Sequence, residues 1–319
     1  KITITEQSGY FYVSRTVEKF HWGLLTPRYW PVWLIIGLLR LSLLLPYPAL
    51  LWLGKRAGRL IHALAGRRQK LTRYNLAQCF PDKSADEIHS LERAHFEALG
   101  IGLFEIALCW WGHTHWLRQR VQIEGMEHLQ AALRSGNGAL LLSAHVTTLE
   151  IGGRLLGLFT PFCLMYRPNN NAALEWAISR SRAKHFERVI PRDDVRQLLR
   201  SLKENRVVWY APDQGFTGKN HVMAPFFNIP APTNPATSRI ARASNAPVLP
   251  FYVQRLPGTQ GYRLQIDPPL ADFPGADPIN DATRVNRIIE AQVYLAPEQY
   301  LWMHNRFKTR AYREVGAGD

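Results

Sequence analysis

The chain has 319 residues, 46% of them apolar and 20% charged, an ordinary globular balance that supplies a full core for one large α/β domain with an appendage or two small domains. Lysine and arginine outnumber aspartate and glutamate 39 to 25, a formal charge of +14, which favours a polyanionic partner: nucleic acid, an anionic membrane surface, phosphorylated lipid or an acidic carrier protein. Cys79, Cys109 and Cys163 stand far apart with no CxxC and no metal-type spacing, which argues against a disulfide or zinc framework and suits small buried residues in a reducing compartment.

Residues 32–53, VWLIIGLLRLSLLLPYPALLWL, are apolar apart from Arg40, Ser42 and Tyr47, about the length needed to cross a hydrocarbon core as a helix. Trp30, Trp33 and Trp52 stand near the ends, where interfacial aromatics belong. The run begins too late for a secretory signal, and Lys55, Arg56 and Arg59 follow it where a cleavage site would be needed. Arg67, Arg68, Lys70 and Arg73 extend the basic stretch, which the positive-inside rule places in the cytoplasm. Pro46 and Pro48 break or kink a helix there, so spanning and dipping into one leaflet both stay open. A core helix or hairpin is the competing reading. The expected division is an N-terminal segment (1–29), a membrane anchor (30–54) and a cytoplasmic domain (55–319).

Residues 82–111 read as a helix, with a capping region at Ser84 and Asp86 and apolar residues at helical spacing. Beyond Gln122 short apolar runs alternate with helical stretches. Strands are expected at 139–144, 162–166, 207–210, 248–253 and 262–266. Helices are expected at 149–158, 172–189, 195–203, from Pro235 onward, and at 282–295. Such alternation predicts an α/β fold with a mixed or mainly parallel central sheet flanked by helices, preceded by the hydrophobic anchoring helix.

At the exit of the run 139–144 stands HVTTLE, with His145 and Glu150 five positions apart. A catalytic pair, a metal site and chance are the three readings. No further ligands at metal spacing surround the two, so the metal site drops out. On one continuous helix five residues turn through about 500°, and the side chains would diverge. They meet only if His145 lies in the strand-to-helix turn, with Thr147 or Thr148 as cap and Glu150 in the first helical turn. Glu150 could then accept a bond from one imidazole nitrogen and leave the other free as a base.

The H-x-x-x-x-E spacing resembles the HX4D/E motif of glycerolipid-type acyltransferases. The chain also resembles the late, secondary acyltransferases of lipid A biosynthesis in seven blocks that fall in that family's order. These are RYNLAQCFPD (73–82), FEIALCWW (104–111), YRPNNN (166–171), APDQGF (211–216), APFFNIPAPT (224–233), APVLPFYVQR (246–255) and PEQYLWMHNRFKTR (297–310). The family more often has Asp where this chain has Glu150. The resemblance covers nearly all of residues 30–310. It implies transfer of a fatty acyl group from an acyl-carrier-protein thioester to a hydroxyl on the primary acyl chains of a lipid A precursor. His145 would be the base and Glu150 its orienting group, with no covalent acyl-enzyme, metal or cofactor. Ser143 lacks a GxSxG setting, which agrees. It further implies a bacterial inner-membrane enzyme with its catalytic domain in the cytoplasm, in contact with membrane lipids.

Arg167, after the strand 162–166, is placed to clamp a phosphate at the same sheet edge as His145. Asp213 and Gln214 follow the strand 207–210, where Asp213 could order Arg167 or the loops. Thr233 and Asn234 cap the helix starting at Pro235, whose N-terminus could receive a phosphate or carbonyl oxygen, or serve as a plain cap. Arg182, Arg188 and Arg192 read as a solvated helix face or its end, and Trp302 and His304 as packing. Gly152, Gly153 and Gly157 either make room for an acyl chain or permit close helix–sheet contact. The rivals are a glycolipid or lysophospholipid acyltransferase using the same pair, a slow thioesterase and a basic nucleic-acid-binding protein. The last is disfavoured by dispersed charges, the absence of a recognition motif and the anchor.

Overall fold

The computed structural model describes residues 20–308; most of the N-terminal segment 1–29 and the last two residues of the 297–310 block lie outside them. In chain order the elements are α1 (Trp30–Ser42), α2 (Tyr47–Leu64), α3 (Gly66–Cys79), α4 (Ala85–Trp111), α5 (Thr114–Arg118), β1 (Val121–Glu124), α6 (Met126–Arg134), β2 (Ala139–Leu142) and α7 (Leu149–Leu156). There follow β3 (Cys163–Tyr166), α8 (Ala172–His185), β4 (Arg188–Pro191), α9 (Val195–Lys203), β5 (Val207–Tyr210), β6 (Val222–Phe226), β7 (Ile229–Thr233), α10 (Ala236–Ser244), β8 (Val248–Arg255), β9 (Tyr262–Ile266) and α11 (Pro278–Leu295).

The expected α/β architecture is present. Seven strands form one sheet in the order β1-β9-β8-β2-β5-β3-β4, parallel throughout except where β8 meets β9. β2 lies at the centre with all four residues buried, which is why it reads as an unbroken apolar run. Its register, Leu140 opposite Val208 on β5 and Val248 on β8, divides the core. Leu140 and Leu142 pack on one face with residues of α3, α9, α10 and α11. Leu141 packs on the other with residues of α4 and α7, beside Trp209 and Phe251.

Four strands escaped the sequence pattern. β4 closes one edge of the sheet where a helix was expected to run on to residue 189; the helix stops at His185. β1 closes the other edge. β6 and β7 form a separate antiparallel ribbon turned by Phe227 and Asn228, both at positive φ (50° and 60°), the backbone of a two-residue hairpin. Pro225, Pro230 and Pro232 hide its strand character.

The apolar N-terminal stretch is two helices rather than one. α1 ends at Ser42, the chain turns through residues 43–46, and α2 starts with Pro48 in its first turn. No helix among the described residues is long and apolar enough to cross a membrane. α2 also runs through the expected anchor boundary at 54/55 and crosses α4 at glycines: a Cβ on Gly58 would lie 2.1 Å from the Phe96 carbonyl oxygen. α4 starts at a capping box in which Ser84 and Glu87 exchange bonds.

α2, α4, β8 and β9 are tied by a buried polar cluster. Arg255 donates to both oxygens of Glu105 at 2.6 and 2.7 Å, the Tyr262 hydroxyl donates to Glu105 at 2.8 Å, and Tyr47 reaches Tyr262 at 3.3 Å. Removing one member strands a buried charge, so Glu105→Ala is expected to cost about 3–5 kcal/mol, read as a lowered midpoint in urea unfolding. The paired replacement Glu105→Leu with Arg255→Met is expected to recover most of that loss.

Candidate active site

β2, β5 and β3 are neighbours in the sheet and parallel, so the loops that follow them open at one edge, the edge where open α/β sheets place ligands. Ser143 extends the ladder by one bond, its N–H to the Tyr210 carbonyl at 3.0 Å. Residues 145–147 then leave the sheet and pair with residues 299–301. Thr147 N–H donates to the Gln299 carbonyl at 2.7 Å, Leu301 N–H donates to the His145 carbonyl at 3.0 Å, and Val146 bridges Tyr300. The segment 297–308 is thus a strap laid across the turn that carries the histidine. The strap is held in turn by α3, where Asn75 Nδ2 donates to the carbonyls of Trp302 and His304 at 2.7 and 3.0 Å.

His145 lies in the turn and Glu150 in the first turn of α7, as the spacing requires. The imidazole, however, is paired with Asp213. Nδ1 is 2.6 Å from Oδ1, and the backbone N–H of His145 donates to Oδ2 at 3.1 Å. A carboxylate only accepts, so the proton sits on Nδ1 and the lone pair on Nε2. Adjacent parallel strands are under 5 Å apart. That spacing brings the carboxylate following β5 to the turn following β2, whereas the one on α7 faces α8.

Asp213 is 2% exposed. Burial favours its neutral form, but the charge and hydrogen bonds of His145 outweigh this and hold the carboxyl below its usual range. Burial likewise works against the imidazolium, and Asp213, by charge and by hydrogen bond, overcomes it and raises His145 above its ordinary 6.5. The Tyr300 hydroxyl, on the strap, is buried near the Asp213 carboxylate; burial first and that carboxylate second keep it protonated.

Glu150 binds Arg182 of α8 through Oε1 and Nη2. The guanidinium lies over the Tyr166 ring at 4.5 Å, and its Nε and Nη1 have no partner among the described residues. Arg182 is therefore largely withdrawn from solvent and not on a solvated face. Its neighbour Ser181 belongs to the buried small-residue stripe Ala173, Ala177 and Ser181, a signal in the sequence that the reading passed over. Arg188 lies on β4, bonded to Ser201 and Glu204, and Arg192 is exposed beside Asp193.

The other expected residues divide. Arg167 stands exposed just beyond β3 on the same edge, and Gln214 is half-buried beside Asp213. Asp213 is spent on His145, so it does not serve to order Arg167. Thr233 ends β7 with its hydroxyl consumed in the core: it donates to the Ala231 carbonyl and accepts from Arg306 at 3.0 Å and Asn286 at 3.3 Å. Contrary to the expectation from the sequence, the hydroxyl therefore does not cap α10 but is engaged inside the core. Asn234 caps the start of α10, accepting from the Ala236 N–H at 3.1 Å. Neither Thr147 nor Thr148 caps α7; Thr148 instead donates to the Val253 carbonyl. Gly152 and Gly153 serve close packing, since a Cβ on Gly152 would lie 2.6 Å from Val253 and one on Gly153 3.2 Å from Trp209. Trp302 packs against Phe80 and Tyr300 as expected. Sequence reasoning did not single out Tyr300.

The site is a histidine with Nδ1 fixed by a buried carboxylate and Nε2 without a partner among the described residues, followed on α7 by Glu150 in its pair with Arg182. The profile of the family described as bacterial lipid A biosynthesis acyltransferase matches residues 17–309. The lipid A biosynthesis palmitoleoyltransferase of Escherichia coli (strain K12) is 38% identical over 298 residues, covering 93% of this chain and 97% of that one. The lipid A biosynthesis lauroyltransferase of the same strain is 37% identical over 295 residues, covering 92% and 96%. Its lipid A biosynthesis myristoyltransferase is 26% identical over 308 residues, covering 95% and 94%. The chain belongs to the bacterial lipid A biosynthesis acyltransferases.

Proposed function

We propose that the protein transfers a fatty acyl chain from an acyl-carrier-protein thioester to a hydroxyl on an acyl chain of a lipid A precursor. The observation that supports this most is the free Nε2 of His145, whose tautomer Asp213 fixes at the open sheet edge. Nε2 removes the acceptor's hydroxyl proton, the oxygen attacks the thioester carbonyl, and the C–S bond breaks. The thiolate then recovers the proton from the imidazolium, so ester and free thiol are formed without a covalent enzyme intermediate. A positioned base supplies about 10²–10⁴-fold. Glu150 keeps its place in the site as the anchor of Arg182, whose charge draws the anionic groups of donor or acceptor to that edge.

The same reading places the protein on the cytoplasmic face of the inner membrane, on α1 and α2. Trp22, Leu34, Ile35, Leu38, Leu41 and Leu44 are all more than half exposed. No acidic residue stands between positions 19 and 81, a stretch that carries Arg28, Arg40, Lys55, Arg56, Arg59, Arg67, Arg68, Lys70 and Arg73. Arg59 and Arg73 are paired with Glu97 and Glu92 of α4, and an apolar face beside the remaining cations suits an anionic leaflet, entered from one side. Trp33 of α1 packs on Trp176 of α8 at 5.8 Å, and α8 carries Arg182, so the lipid-facing helix adjoins the site.

The test is incubation of the full chain with acyl-carrier thioester and a tetraacylated lipid A precursor, read by mass spectrometry. One acyl mass gained on the lipid is expected. Thioester loss without lipid gain would leave a thioesterase, and turnover of another lipid acceptor would reassign the acceptor. In the same assay, Glu150→Gln and Arg182→Met are each expected to lower kcat/KM. The double variant should show a coupling of about 0.5–3 kcal/mol, as for groups in direct contact.

A further inference from the structure

One histidine outside the proton path lies on the strap that holds the His145 turn. His304 rides on the strap three residues after Leu301, whose N–H holds the His145 carbonyl. Its carbonyl accepts from Asn75 Nδ2 at 3.0 Å and from the Arg306 N–H at 2.9 Å, which fixes the backbone under the ring. The ring is half-buried, Nδ1 is sealed from water with no partner among the described residues, and the charges of both Asp213 and His145 act on it. Burial first holds it at about 4; Asp213 opposes this, while His145, Lys308 and Arg306 add to it. The imidazole is therefore neutral at neutral pH.

A sealed nitrogen with nothing to bond is a place for a lone pair rather than an N–H, because orphaned donors are the rarer defect. The proton then sits on Nε2, the nitrogen left reachable. Acyl transfer needs a donor at the carbonyl oxygen, where negative charge develops. The catalytic pair offers none: His145 Nδ1–H is spent on Asp213 and Nε2 is the base.

We propose that the Nε2–H of neutral His304 donates a hydrogen bond to the carbonyl oxygen of the bound acyl thioester, a bond that strengthens as that oxygen becomes an oxyanion. This rests on the acyltransferase reading above. A neutral imidazole suits the task because it polarises the oxygen without placing a second cation beside the His145 imidazolium.

The experiment compares the full-length wild type with His304→Leu and His304→Gln, the second of which keeps a neutral N–H. His304→Leu is expected to lower kcat by about 10²–10³-fold, with KM for the thioester little changed and the acid limb of the pH profile unmoved. His304→Gln should regain at least about tenfold of that loss, as a partial replacement of one oxyanion donor. A His304→Leu enzyme within about threefold of wild type, or a glutamine no better than leucine, would overturn the assignment. A loss confined to KM, or tracking a lowered melting temperature, would do the same.

If the leucine variant does not fold, the wild type labelled with ¹⁵N-histidine decides. A ketone analogue of acyl-pantetheine, with CH2 in place of sulfur, should shift the His304 Nε2 resonance, and no shift refutes the contact. Should the wild type transfer nothing, the acyltransferase reading fails, and His304 stands or falls on that resonance alone.

Discussion

His145→Ala is expected to lower acyl transfer by about 10²–10⁴-fold while the protein stays folded. The fold should tolerate the change because the Asp213 carboxylate keeps a donor in the backbone N–H of residue 145. The strap is held to the turn by backbone bonds, which no side-chain replacement removes. Steady-state transfer measured beside a thermal melt checks both halves. A variant that folds and keeps most of its activity would remove His145 as the base. The residual rate after substitution reports what positioning alone contributes.

Replacing Asp213 by Asn should show a different signature. With Nε2 as the proposed base the active form is the one with Nε2 unprotonated, so kcat/KM is expected to rise with pH through a value above 6.5, where Asp213 raises the imidazole. The amide removes the charge that favours imidazolium, while the burial that opposes it remains. The acid limb of the profile should therefore move to lower pH. Maximal activity should fall at the same time, by on the order of 10²–10⁴-fold, because an amide no longer compels the proton onto Nδ1. Lower activity with an unmoved acid limb would show that another group fixes the ring. Glu150→Gln is expected to leave the limb where it is, since Glu150 bonds Arg182.

Sequence reading reached most of the central sheet because β2, β5 and β8 are buried strands whose apolar runs are nearly continuous. It missed β1 and β4, edge strands of four residues with half-exposed patterns, and the proline-rich ribbon β6–β7. His145 and Glu150 were legible from spacing, and Asp213 from its place after a strand. What could not be read was the pairing among them. Strand order decides it: β5 lies beside β2 although α7, β3, α8, β4 and α9 separate them in the chain. Thr233 was misassigned because a buried hydroxyl and a capping hydroxyl look alike in one dimension, and only the position of Arg306 tells them apart. The apolar run 32–53 shows the same limit, its composition matching a span while Pro46 and Pro48 divide it into two helices.

The strap has a consequence for when the enzyme becomes competent. The turn at residues 145–147 is completed by residues 299–301, near the end of the described chain, and the buried face of Asp213 is completed by Tyr300. All seven strands of the central sheet precede residue 297 in the chain, but the turn that carries His145 has settled surroundings only once the strap has docked on it. Losing residues 297–308 would remove the partners of the 145–147 turn together with the buried Tyr300, Trp302 and Phe307, so an unsettled histidine would come with a weakened core.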